Sequence, residues 1–134
     1  MNVCVFGAGN MGARIAEVFL TNGHNVTMLD IKQEFIDRGV KTITGDLNFL
    51  VKKEKMTAER KDELLAGLKT SVDRSAAKDA DFIMEVILER MDLKKELLKD
   101  LDGILPANCI IGTNTSALSI TEIASAVANR ADKV

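Results

Sequence analysis

Glycines at positions 7, 9 and 12 fall within VCVFGAGNMGARIA, residues 3–16, after an apolar run and before a helical pattern. The spacing G-x-G-x-x-G suits a pyrophosphate. Gly7 permits a tight turn, Gly9 lets backbone approach the ligand, and Gly12 allows close helix–strand contact. The helix that opens here offers free amides and the partial positive charge of its N-terminus to phosphate oxygens. Gly7, Ala8, Gly9, Asn10, Met11 and Gly12 are therefore the candidate cofactor cradle. Alone, the same spacing also describes a mere corner in the chain. An acid closing the next strand favours the ligand, and Asp30 stands there. A carboxylate at that point accepts from both ribose hydroxyls of an adenosine and repels a 2′-phosphate, so NAD is expected over NADP. Lys32 nearby reads as solvated.

Two further stretches carry chemistry. In ADFIMEVILERMDLKK, residues 80–95, Glu85 falls inside an apolar strand, where an unpaired carboxylate is costly. Glu89 falls at the strand's carboxyl end, the edge at which open α/β sheets bind ligands. Lys94 follows about one turn into the next helix, whereas Lys95, Glu96, Lys99 and Asp100 read as surface. In GTNTSALSITEIA, residues 112–124, Asn114, Thr115 and Ser116 follow a strand at the same edge. Their amide and hydroxyls suit a bound nicotinamide or substrate, and the same residue types also make ordinary turns. Ser119 with Glu122 is a capping box, not chemistry.

These residues need a frame to bring them together. Strands are expected at 2–6, 25–29, 69–72, 81–88 and 108–112. Helices are expected at 10–22 (closed by Gly23), from Thr57 to about Leu65, at 91–102 (stopped near Pro106) and at 120–128. Between 32 and 54, Ile36, Val40, Ile43, Leu47 and Leu50 step by four and three, the spacing of one long helix face. Strands apolar on both faces, separated by helices, imply a parallel sheet covered on both sides. The expected fold is a doubly wound α/β domain of mostly parallel strands. The closing RADKV reads as the approach to another strand, so 1–134 is expected to be one domain cut before its last strands.

Composition excludes several classes of partner. A formal net charge of −2 and a pI near 5.4 give no help to nucleic-acid or membrane-surface binding. Five Phe and no Trp or Tyr make a base-stacking platform improbable. No signal-peptide pattern opens the chain, and no apolar stretch approaches the roughly 20 residues of a membrane helix. Cys4 and Cys109 lie in apolar runs without CxxC spacing, so buried free thiols, a cytoplasmic setting and no metal site are expected.

Taken together, the three stretches resemble the 3-hydroxyacyl-CoA dehydrogenase family. Its V-x-G-A-G-x-M-G-x-x-I-A is matched by residues 5–16, and its acid after the second strand by Asp30. Its A-D-x-V/I-I/V-E-A-V/I-x-E is matched by 80–89, with Met84 and Val86 departing from it. Its N-T-S-S-L-x-I-x-x-I/L-A is matched by 114–124, with Ala117 in place of the second serine. Arg90 stands where the family has a small polar residue.

The resemblance implies NAD-dependent interconversion of an L-3-hydroxyacyl-CoA, such as 3-hydroxybutyryl-CoA, and its 3-keto form. It assigns the pyrophosphate to Gly7–Gly12, the ribose to Asp30, and the nicotinamide side to Glu89 and Lys94. Ser116 would bond the substrate's C3 oxygen and touch the cofactor, with Asn114 lining the same pocket. A CoA-contacting lysine would fall in the cluster Lys52, Lys53 and Lys55, best at Lys53, and the stretch 32–54 would be the family's projecting helical arm. The catalytic histidine of G-x-H-F-F-N-P and a helical dimer-forming domain would lie beyond Val134. His24, the only histidine, sits on the adenosine side and is not that base. Residues 1–134 alone are thus expected to bind NAD without turnover. A different GxGxMG dehydrogenase and a non-enzymatic NAD-binding module remain as alternatives.

Overall fold

A computed structural model describes all of residues 1–134. Its strands are β1 (Asn2–Phe6), β2 (Asn25–Leu29), β3 (Leu68–Ser71), β4 (Phe82–Glu85) and β5 (Ile110–Thr113). Helices α1 (Asn10–Thr21), α2 (Gln33–Lys52), α3 (Ala58–Gly67), α4 (Met91–Asp102) and α5 (Ile120–Ala124) connect or follow them. The strands pair in parallel in the order β3-β2-β1-β4-β5. Winding therefore reverses between β1 and β4, and a crevice opens there at the carboxyl edge.

Both faces of the central strand are covered. Val3 and Val5 join one core with Ala13, Ala16, Leu20, Ile36, Ile43 and Leu47 from α1 and α2. Cys4 and Phe6 join another with Leu97, Leu98 and Leu101 from α4. The alternation follows from the period of two along a strand. Register then sets the site, because Ser71, Leu29, Phe6, Glu85 and Thr113 form one continuous row across the sheet. The residues that follow them leave the sheet at one level.

Local chemistry sets the helix ends. After α1, Gly23 takes a left-handed φ of +85°; its N–H reaches Leu20 O and that of His24 reaches Phe19 O, a Schellman stop. Thr57 caps α3 by accepting from the Arg60 N–H at 3.1 Å. Helix α2 spans about 30 Å at 1.5 Å per residue, and its exposed tip, residues 52–55, turns back into α3.

Several bounds differ from those expected. Strand β4 stops at Glu85, not 88, because the Glu85 carboxylate takes the Ile87 N–H at 2.8 Å and turns the chain. Strand β5 starts at Ile110, since the Cys109 N–H closes a turn onto Pro106 O. The last helix ends at Ala124 and continues as a 3-10 segment to Lys133, interrupted by non-helical geometry at Val127 and Arg130. There the Arg130 side chain turns in to bond Asp102 and the carbonyls of Leu105 and Pro106. No helix is long and apolar enough to cross a membrane.

Candidate functional site

The glycine loop joins β1 to α1, and its glycines answer to different constraints. Gly7 adopts φ +111° and donates to Leu29 O at 2.8 Å; a Cβ there would lie 2.4 Å from Val86 O. A Cβ on Gly12 would lie 1.8 Å from Gly7 O. Both are required by the fold, ligand or none. Gly9 is not. Its φ of −69° suits any residue, it is exposed, and a Cβ would meet nothing within 4 Å. It is also the N-cap of α1, with no side-chain cap and no acid in the first turn. The amides of a helix N-terminus thus face open space that a side chain would fill, a cradle shaped for an anion.

Asp30 borders that cradle. Its carboxylate accepts from the Ala8 N–H at 2.8 Å and the Ile31 N–H at 2.7 Å, one on each oxygen. Each oxygen keeps a second lone pair for a ribose hydroxyl. Beside it lies a cleft of about 380 Å³ walled by Leu29, Ile31, Val72, Ile87 and Leu88. Ile31, Val72 and Leu88 are 71%, 53% and 70% exposed and line one cleft together, a grouping of the kind that marks a binding groove. A mainly apolar slot with the Asp30 carboxylate beside it, and Arg74 and Glu96 as its other polar lining, suits an adenosine. Sequence reasoning missed these walls. Their signal was position, since each aliphatic ends a strand or closely follows one.

On the other side of the loop lies a buried charge network. Glu85 and Lys94 are both 0% exposed. The Lys94 ammonium donates to Glu85 Oε1 and Oε2 at 2.9 and 2.7 Å, and to Asn114 O at 3.1 Å. Glu85 also accepts from the Thr113 hydroxyl at 2.5 Å and from the Ile87 N–H. Burying such a pair is tolerable only with this degree of hydrogen bonding. The Lys94 ammonium, expected on the nicotinamide side, is turned inward onto Glu85 and Asn114. Lys94 shares the inward face of α4 with Leu97, Leu98 and Leu101, an i, i+3, i+4, i+7 pattern visible in the sequence.

The turn after β5 carries the remaining candidates. The Asn114 N–H donates to Glu85 O at 2.9 Å, and its side-chain amide reaches Met11 Sδ at 2.9 Å across the crevice. The Thr115 hydroxyl bonds the Glu89 carboxylate and accepts from the Leu118 N–H at 2.9 Å. Glu89 is thereby held at the crevice rim. Ser116 is exposed and makes no hydrogen bond within the chain. Arg90, the N-cap of α4, pairs with Asp92 at 2.8 Å on the surface.

Two residues lie elsewhere. Lys53 follows the far end of α2, its ammonium 5.6 Å from the centre of the Phe49 ring. His24 precedes β2 at the amino edge, 3.3 Å from the N-terminal amine and opposite the site. Both cysteines are buried free thiols. Burial, reinforced by Cys109, pushes the Cys4 thiol up to about 11, and burial raises Cys109 as well, which leaves both thiols unreactive near neutrality.

A parallel sheet of this order, with a glycine loop at the N-terminus of the helix after its central strand and an acid after the next, defines a dinucleotide-binding domain. Residues 2–134 match the model of the 3-hydroxyacyl-CoA dehydrogenase NAD binding domain, and the chain belongs to that family. It is 38% identical over its whole length to a 3-hydroxybutyryl-CoA dehydrogenase of Clostridioides difficile, covering 47% of that protein. It is 39% identical over 95% of its length to a 3-hydroxyadipyl-CoA dehydrogenase of Escherichia coli, covering 27% of it. The crystal structure of (S)-3-hydroxybutyryl-CoA dehydrogenase from Ralstonia eutropha superposes with a TM-score of 0.94 at 41% identity, over 98% of this chain and 46% of that one. The chain thus spans less than half of each of these relatives. Its cofactor is NAD.

Proposed function

We propose that this chain supplies the cofactor half of an enzyme that interconverts an L-3-hydroxyacyl-CoA, with 3-hydroxybutyryl-CoA the leading candidate, and the 3-ketoacyl-CoA. The observation that carries this reading is the meeting of Glu89, Asn114 and Ser116 with the glycine cradle and Asp30 at one sheet edge. When bound there, NAD supplies the hydride acceptor. The cradle amides hold its pyrophosphate, and Asp30 accepts from the ribose.

The chain's own polar groups then organise the reacting carbon. The unpartnered Ser116 hydroxyl donates to the C3 oxygen as negative charge gathers there, and the Asn114 amide lines the same pocket. Glu89, held by Thr115, borders the nicotinamide. The exposed Lys52, Lys53 and Lys55 at the hairpin tip are offered to the CoA phosphates. Removing the hydroxyl proton needs a base within hydrogen-bond reach. His24 lies at the wrong edge, so the proposal assigns that base to a histidine outside residues 1–134.

The test is direct. Purified residues 1–134 are titrated calorimetrically with NADH and assayed with 3-hydroxybutyryl-CoA and NAD. Saturable NADH binding with no turnover is the expected result. Absence of NADH binding overturns the cofactor site, and turnover of roughly 1 per second or more overturns the assignment of the base.

A further inference from the structure

Glu85 is the most deeply buried acid of the chain, and the cofactor chemistry above makes no use of it. Its pairing with Lys94 is not an obvious source of stability, because an apolar pair of similar volume is often at least as stable in a core. The pair is also placed against the helix dipole: Lys94 lies in the first turns of α4, where the partial charge is already positive. What the pair does hold is the turn after β5. Asn114 has its N–H on Glu85 O and its carbonyl on the Lys94 ammonium, so both of its backbone polar groups are fixed by these two residues. Thr113, the residue before, is fixed by Glu85 Oε1. The other end of the carboxylate fixes Ile87, two residues ahead of Glu89.

We infer that the Glu85–Lys94 pair is the positioning element for the nicotinamide end of the cofactor site, acting on Asn114 and Ser116 from one side and on the approach to Glu89 from the other. Its link to the adenosine end is the amide of Ile87, a residue that walls the cleft beside Asp30. The Asp30 carboxylate itself is held by Ala8 and Ile31, and Thr113→Val leaves the Ile87 bond in place. The inference rests on the proposed cofactor site and adds a division of labour within it.

Two ligands separate the ends: NADH fills both, and ADP-ribose, which lacks only the nicotinamide ring, fills the adenosine and pyrophosphate part and reaches the other end with its second ribose alone. Removing one charge alone leaves its partner buried and unpaired, so the informative variants are the double substitution Glu85→Met with Lys94→Leu, and the milder Thr113→Val. Each is titrated with NADH and with ADP-ribose after its thermal melt confirms folding, and NADH fluorescence anisotropy is recorded at saturation. In the double variant the preference for NADH over ADP-ribose falls about five- to ten-fold and bound NADH loses anisotropy, while ADP-ribose, which meets the pair's reach mainly at the Ile87 wall, weakens less than NADH. Thr113→Val moves the same way by about two-fold, and decides the matter if the double variant does not fold. An unchanged preference in a folded variant overturns the inference, as does equal weakening of both ligands, the mark of a structural role alone. A parent chain that binds neither ligand overturns the cofactor site itself.

Discussion

Gly9 and Gly12 separate phosphate binding from chain turning, because the fold constrains one and not the other. A methyl on Gly12 would sit 1.8 Å from Gly7 O and 2.8 Å from Gly7 C. Ordinary contact starts near roughly 3.4 Å, so α1 and the loop would have to part by about 1.5 Å. Both sides of that clash are backbone, which places Gly12→Ala at the upper end of the about 1–3 kcal/mol of overpacking. In a domain of this size that lowers Tm by about 10 °C. Gly9→Ala meets no neighbour. The weaker cap costs about 0.5–1 kcal/mol, which the stiffer unfolded chain offsets by about the same amount. Its Tm should stay within about 3 °C of the parent. Its methyl nevertheless stands in the open space where the proposed cradle would take a pyrophosphate, and on that proposal NADH affinity should fall about ten-fold or more, at least about 1.4 kcal/mol. Differential scanning fluorimetry and calorimetric titration measure the two effects on the same samples. Gly9→Ala binding NADH within two-fold of the parent would refute the cradle, and an unshifted Tm for Gly12→Ala would refute the packing argument.

Three other perturbations test separate parts of the molecule. Asp30→Ala should narrow the preference for NADH over NADPH, mainly by removing repulsion of the 2′-phosphate, and equal affinities in the parent would sink the ribose assignment. Ser116→Ala in the full-length enzyme should lower kcat about ten- to a thousand-fold with little change in NADH affinity. Since Ser116 is exposed and makes no bond within the chain, a shifted Tm with unchanged kcat would reduce it to a turn residue. Burial, and then the neighbouring Asp46 carboxylate, raises Glu17 between α1 and α2 to about 7 from an ordinary 4.5. Its contribution to stability is thus complete below about pH 4.5 and lost as pH rises through 7. Glu17→Gln should therefore gain in Tm on the parent between about pH 5 and 8, and a constant gap across that range would contradict the raised value.

What the sequence discloses depends on how far away the deciding partner lies. Strand β1, the glycine loop and the Gly23 stop were legible because a short local pattern marks each, although Gly7 also answers to Leu29 and Val86. Thr57 and Ser119 were legible as caps for the same reason; each accepts from the amide three residues on. The end of β4 was not. An apolar run through Leu88 reads as strand, and only the Glu85 carboxylate, itself anchored by Lys94 and Thr113 from two other elements, draws the Ile87 amide out of line. The break in the last helix is of the same kind, since Arg130 answers to carbonyls some 25 residues earlier.

Lys94 shows where the two kinds of information conflict. Its charge argued for an exposed or ligand-facing position, while its spacing with Leu97, Leu98 and Leu101 argued for the core. Spacing prevailed, because Glu85 had been placed in the middle of an apolar strand and required a counter-charge at that depth. The two residues are each improbable alone and explicable together, so a buried acid in a parallel strand is itself a reason to look for its cation on the inward face of the helix that follows.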